Sequence, residues 1–212
     1  MAREGYLSEE NVAHMLSELG PYVYPREPYW VGEKMAIVVL NPINFFFDES
    51  MRGYVPSTDY LKDVLPMLIL RAKEKNIPVF FIRHGVKNGK EGNIGKWWGY
   101  PVYEDSKDSM LYPMFAELPG IEFVKERYSA FSSHMFVSAL EMENVKTLVL
   151  TGVLLDLSVM TTALDAFERD FNVVVPIDGV ATHNYDLHIA SMKLLTHGCA
   201  FTATVEEVVS AL

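Results

Sequence analysis

Five short apolar runs constrain this chain more than any other feature. They are Met35-Ala-Ile-Val-Val-Leu40, Pro78-Val-Phe-Phe-Ile82, Ile121-Glu-Phe-Val124, Thr147-Leu-Val-Leu150 and Asn172-Val-Val-Val-Pro-Ile177. A strand with one wet face alternates apolar and polar residues. Runs without that alternation belong to strands covered on both faces, as in parallel sheets. Between them the spacing turns helical, with Leu61, Leu65, Leu68 and Ile69 before the second run and Val159, Ala163 and Ala166 before the fifth. A sixth strand is expected at Cys199 to Ala203. The class is α/β: a doubly wound six-stranded parallel sheet with helices on both faces. Residues 33–212 form that domain, and residues 1–32 add a helix and a lead-in to a single structural unit.

Caps and breakers set the boundaries. Ser8 starts a helix that Gly20-Pro21 stops, and Tyr22 to Gly32 reads as an extended lead-in packing across the domain. Pro66 should kink the helix expected from Thr58 to Asn76, or start a new one. Ser132 or Ser133 caps a helix to about Glu141, one from Asn184 runs to His197, and Thr204 with Glu207 forms a capping box for the last helix. Asp156 is the expected N-cap where the fourth strand turns through Thr151-Gly152 into a helix. The stretch Val86 to Ser109 is rich in glycine around Trp97-Trp98, a loop type that carries function or moves. The paired tryptophans fit a pocket wall, or a face buried between copies of the chain in a homo-oligomer.

Open parallel sheets bind ligands at the carboxyl ends of their strands. The residues there are Asn41, His84, Lys125, Gly152 to Ser158, and Asp178. Lys125 closes a buried strand, so its ammonium must find a partner or snorkel to solvent. Neither G-x-G-x-x-G nor G-x-x-x-x-G-K-[ST] follows a strand, and G-x-S-x-G is missing. The six histidines are scattered, and His183 and His188 are five apart rather than on one helical face, which argues against a metal site.

Charge and cysteine content narrow the functional classes. The formal charge is −10, with 28 acidic against 18 basic residues, and no basic run suggests a nucleic-acid partner. A single cysteine, Cys199, excludes a disulfide framework within the chain. No apolar run reaches the roughly 18 residues that span a bilayer, so no membrane partner is expected. The first residues lack the apolar core of a signal peptide, and a cytoplasmic protein is the expectation.

Three strand ends together resemble the isochorismatase-like hydrolases, a family that also contains nicotinamidases and other cysteine amidases. They are Ala36-Ile-Val-Val-Leu-Asn-Pro-Ile-Asn-Phe-Phe46, Lys125-Glu-Arg-Tyr-Ser-Ala-Phe131, and Thr151-Gly-Val-Leu-Leu-Asp-Leu-Ser-Val159 followed by Thr162-Ala-Leu-Asp-Ala166. Trp98-Gly99 looks like the isochorismatase branch. The resemblance implies a six-stranded parallel sheet, no cofactor, and a triad of acid, lysine and cysteine. In the amidases the thiolate attacks a carbonyl, and amides beside a cis peptide hold the oxyanion. In true isochorismatases, which lack the cysteine, an acid protonates a vinyl ether before water adds. Here the three positions are Asn41, Lys125 and Ser158. The resemblance puts Phe46, His84, Trp98, Tyr128, Val153 and Leu154 around a small organic acid or amide.

Two departures matter. Ser158 excludes thiol chemistry, and Asn41 neither gives nor takes a proton near neutral pH. Three readings stay open. The acid comes from elsewhere, Asp48 and Asp156 being nearest in sequence; the chain is a binding or assembly subunit without chemistry; or Ser158 is a nucleophile with Lys125 as its base. The third requires the two side chains to touch, which a sequence does not reveal.

Overall fold

The computed structural model describes residues 3–23 and 32–212. Seven strands are present among them: β1 Met35–Leu40, β2 Val79–His84, β3 Ile121–Lys125, β4 Thr147–Val153, β5 Asn172–Pro176, β6 Val180–Ala181 and β7 Phe201–Ala203. All pair in parallel, in the order β3-β2-β1-β4-β5-β7, with β6 beside β4. The seventh strand, beyond the six expected, is the two-residue β6. Val180-Ala181 is too short to leave a periodic signature. The central strands β1 and β4 are buried along their whole length. β3 lies at the edge of the sheet, so Ile121 and Glu122 are exposed and only its inner end is covered.

Helix α1, Glu9–Leu19, starts at Ser8, whose hydroxyl accepts from the Asn11 amide at 3.2 Å. Its apolar stripe buries Val12, Met15 and Leu19. Of the expected lead-in, residues 24–31 lie outside the described residues. Helices α2 Asn44–Phe47 and α3 Thr58–Glu74 follow β1. α4 Gly92–Trp98 and α5 Pro113–Ala116 follow β2, and α6 His134–Met142 precedes β4. α7 Met160–Phe167, α8 Tyr185–Gly198 and α9 Val205–Ala211 complete the chain. α3 packs on α9, while α1 and α7 pack on α8. Right-handed crossovers running in opposite directions from the sheet centre put these groups on opposite faces.

Two local expectations need correction. Pro66 does not start a new helix: α3 continues through it, with Leu61, Leu65, Leu68, Ile69 and Ala72 buried along both halves. Asp156 is not an N-cap. The chain leaves β4 through a π-helical turn, Leu155–Val159, with Leu154 in the cap position. The Asp156 carboxylate instead accepts from the Thr182 hydroxyl just after β6.

β1 and β4 are neighbours, yet the chain leaves them toward opposite edges of the sheet. The carboxyl end of this pair is therefore a switch point, where the outgoing connections part and leave a crevice. Gly152 lets the two backbones approach there. Its φ is +93°, and a Cβ would stand 2.2 Å from the Leu40 carbonyl oxygen.

Candidate active site

Three strand ends converge on the crevice. Asn41, the residue after β1, is buried with φ at +52°, a left-handed conformation that asparagine tolerates better than most residues. Its Nδ2 donates to the Val153 carbonyl at 2.6 Å and to Ser158 Oγ at 3.0 Å. A carbonyl can only accept, so the first bond fixes which way the amide points. Among the described residues its Oδ1 is buried without a hydrogen-bond partner.

Lys125, the last residue of β3, is 1% exposed, so it does not snorkel to solvent. Its stem is enclosed by the sheet end. Its Nζ donates to the Arg127 carbonyl at 3.0 Å and lies 3.2 Å from Ser158 Oγ. Among the described residues it has no carboxylate within ion-pair distance. Burial without a counter-ion pulls the ammonium down to about 7, from an ordinary value of 10.5. Ser158 sits in the π-helical turn at 4% exposure. Asn41, Lys125 and Ser158 thus meet at one oxygen, Ser158 Oγ.

They line a cavity of about 200 Å³. Phe46, His84, Trp98, Tyr128 and Leu154 line it as well. The Trp98 indole donates to the Tyr128 hydroxyl at 2.9 Å, which ties α4 to the segment after β3. His84 ends β2. Burial, and next the Lys125 charge, push its imidazole down to about 3, so it is neutral at ordinary pH. Val153 does not line the cavity; it contributes its carbonyl, which Asn41 occupies. The peptide joining Val153 to Leu154 is cis.

Neither candidate replacement acid reaches the cavity. Asp48 accepts from the Ser50 amide and hydroxyl at 2.9 and 2.7 Å, and Asp156 is taken by Thr182. Among the described residues, the one carboxylate in the lining is Glu91. Its own amide, the Gly89 amide and the Tyr103 hydroxyl hold it below the usual carboxylate range, and therefore ionised. Sequence reasoning missed Arg3, Phe45, Arg52, Tyr100 and His183, all of which line the cavity. Phe45 stands beside Phe46 in a stretch already singled out, whereas Arg3, Arg52, Tyr100 and His183 come from segments whose motifs do not point to the site, so only folding assembles them. Cys199 is buried outside this lining, its thiol pushed up to about 11 by burial. Among the described residues no cluster of three His, Cys, Asp or Glu side chains could hold a metal.

At the turn after Leu154 the Leu157 and Val159 amides donate to the Leu154 carbonyl at 3.2 and 3.1 Å. The cavity therefore combines a buried hydroxyl with an amine that is partly neutral near pH 7.

A family model described as the isochorismatase domain matches residues 35–207. Nicotinamidase 3 of Arabidopsis thaliana is 32% identical over 134 residues, covering 61% of this chain and 68% of that protein. Enterobactin synthase component B of Escherichia coli is 27% identical over 142 residues, 66% of this chain. That alignment spans only 50% of the relative's own length. Among solved structures, a cysteine hydrolase from Pseudomonas syringae pv. phaseolicola superposes with a TM-score of 0.80 at 19% identity, covering 89% of this chain and 94% of the other.

Proposed function

Because the chain belongs to the isochorismatase-like hydrolase family, we propose that it is a small-molecule hydrolase in which Ser158 attacks and Lys125 is the base. The observation that carries this reading is the 3.2 Å separation of Lys125 Nζ from Ser158 Oγ inside the cavity. Neutral Lys125 takes the hydroxyl proton as Oγ bonds to the carbonyl carbon of an amide or ester. The resulting ammonium returns that proton to the leaving amine or alcohol. Water then cleaves the acyl-serine, with Lys125 accepting its proton and Ser158 Oγ recovering one. Asn41 positions Oγ through its 3.0 Å hydrogen bond. A vinyl ether fits less well, because protonating carbon calls for an un-ionised acid and Glu91 is ionised.

A second reading rests on Asn41 itself. With an amide at the acid position, the same cavity also suits a subunit that binds small organic acids without turning them over. Product formation across a panel of small-acid esters, amides and vinyl ethers separates the two. Turnover by the wild type, an acyl adduct seen by intact mass, and a loss of roughly 10³-fold or more in Ser158→Ala and Lys125→Met are expected. Binding of acids with no product from any substrate would establish the non-catalytic reading instead.

A further inference from the structure

Arg3 lies ahead of the residues matched by the family model, yet its side chain lines the cavity. The segment that carries it is anchored at several points. Arg3 Nη1 donates to the Arg52 and Tyr54 carbonyls at 2.6 and 3.2 Å. The Glu4 amide donates to the His183 carbonyl at 2.9 Å. Tyr6 is buried, its amide donates to Ser57 Oγ at 3.0 Å, and its hydroxyl accepts from the Thr182 amide at 2.9 Å. The arm is thus fastened to both sides of the cavity, to the loop before α3 and to the strand end at β6.

Arg52 sits beside it. Its guanidinium lies 5.3 Å from the centroid of the Tyr100 ring, and Tyr100 stacks on Phe45 at 5.7 Å and 14°. Neither Arg3 nor Arg52 has a carboxylate within ion-pair distance among the described residues. A guanidinium has five donors, and Arg3 commits only one nitrogen to backbone carbonyls. In a chain with a formal charge of −10, the described residues of the lining hold Arg3, Arg52 and Lys125 against a single carboxylate, Glu91. Both arginines are exposed, whereas Ser158 and Lys125 are buried, so the guanidiniums stand at the open side of the cavity and the hydroxyl at its inner side.

We propose that Arg3 and Arg52 form the anion-recognition end of this site, and that its substrates carry a carboxylate away from the bond that Ser158 cleaves. This rests on the hydrolase reading above and assigns its specificity to Arg3, on an arm ahead of the matched family residues, together with Arg52 within them. Paired guanidiniums suit a carboxylate because their N–H forks match its two oxygens, and one of the pair is held over an aromatic face that sets its direction.

The test compares monoethyl succinate with ethyl levulinate, which has the same ester and a neutral methyl ketone in place of the carboxylate. The wild type should prefer monoethyl succinate in kcat/KM. Arg3→Gln and Arg52→Gln should each reduce that preference about 10-fold or more, the usual size for loss of a charge-assisted hydrogen bond. The loss should appear in KM, and Arg3→Lys should restore part of it. Rising salt should erode the preference in the wild type and leave it flat in the double variant. Both positions are exposed, so thermal melts serve as a control for folding. A wild type that cleaves both esters equally, with no change in Arg3→Gln, overturns the inference and leaves the Ser158 mechanism standing. If neither ester is cleaved, the hydrolase reading fails at those substrates, and calorimetry with succinate decides the anion site alone. Binding weakened about 10-fold in Arg3→Gln supports it, and binding unchanged in both variants overturns it.

Discussion

Both Nδ2 hydrogens of Asn41 are committed, one to the Val153 carbonyl at 2.6 Å and one to Ser158 Oγ at 3.0 Å. Aspartate at position 41 would set a carboxylate oxygen against the Val153 carbonyl oxygen and leave that carbonyl unpaired, at a cost of about 1–3 kcal/mol. It would also bring an anion near Lys125, whose ammonium is held down to about 7 only because burial leaves it without one. Under the Ser158–Lys125 mechanism, kcat/KM of the wild type rises with pH through about 7, as the amine becomes neutral, and then levels. Asn41→Asp should move that midpoint upward and lower activity at neutral pH. A pH-rate profile of both proteins measures this. A variant more active at pH 7, with an unmoved midpoint, would indicate a mechanism in which an acid at position 41 is the missing part. Cys199→Ala should leave the profile unchanged, since the thiol is buried away from the cavity and pushed up to about 11.

At the scale of elements, what the sequence made legible followed from local rules that tertiary packing left intact. The strand ends that build the site closed apolar runs, and Ser8, Asn184 and the Thr204–Glu207 box all cap their helices through side-chain oxygens. The misses at Asp156 and Arg3 share one physical origin, contacts between residues far apart in the chain. The π-helical turn displaced Asp156 from its cap because Thr182 claims the carboxylate. Arg3 and Arg52 met only because the arm folds back by 49 residues. Pro66 shows packing overriding a breaker: α3 keeps its buried stripe although one N–H is missing. That tolerance has a cost. Alanine costs about 3 kcal/mol less than proline in a helix interior, offset by about 1 kcal/mol from the looser unfolded chain. Pro66→Ala should therefore stabilise the protein by roughly 1–2 kcal/mol, which raises Tm by about 2–8 °C for a domain of this size. Calorimetry reads it, and a lower Tm would mean that the proline ring itself contributes to the packing of α3.

At the scale of the whole molecule, the arm that carries Arg3 is joined to α8 through one buried pair. The Tyr6 hydroxyl accepts from the Thr182 amide, so its own hydrogen goes to His188 Nδ1 at 2.9 Å. That assignment places the imidazole proton on Nε2, which has no hydrogen-bond partner among the described residues. Protonating His188 must therefore put a hydrogen on Nδ1, facing a hydroxyl that then has no acceptor for its own. Together with complete burial, this holds the imidazole neutral, its pKa depressed to about 3. The unfolded chain takes up that proton near its ordinary value of 6.5, so between about 6.5 and 3 the unfolded state binds more protons. The stabilisation is fully present above 6.5, falls as pH drops through that window, and is constant below it. One such group contributes about 1.4 kcal/mol per pH unit within the window. His188→Asn keeps an acceptor for the Tyr6 hydroxyl and removes the titration. Its urea midpoint should fall less steeply than that of the wild type from pH 6.5 to 4, by the slope of one proton, with His84 adding its own share to both proteins. Equal slopes would mean that His188 is protonated in the folded protein and that the arm is held by other contacts.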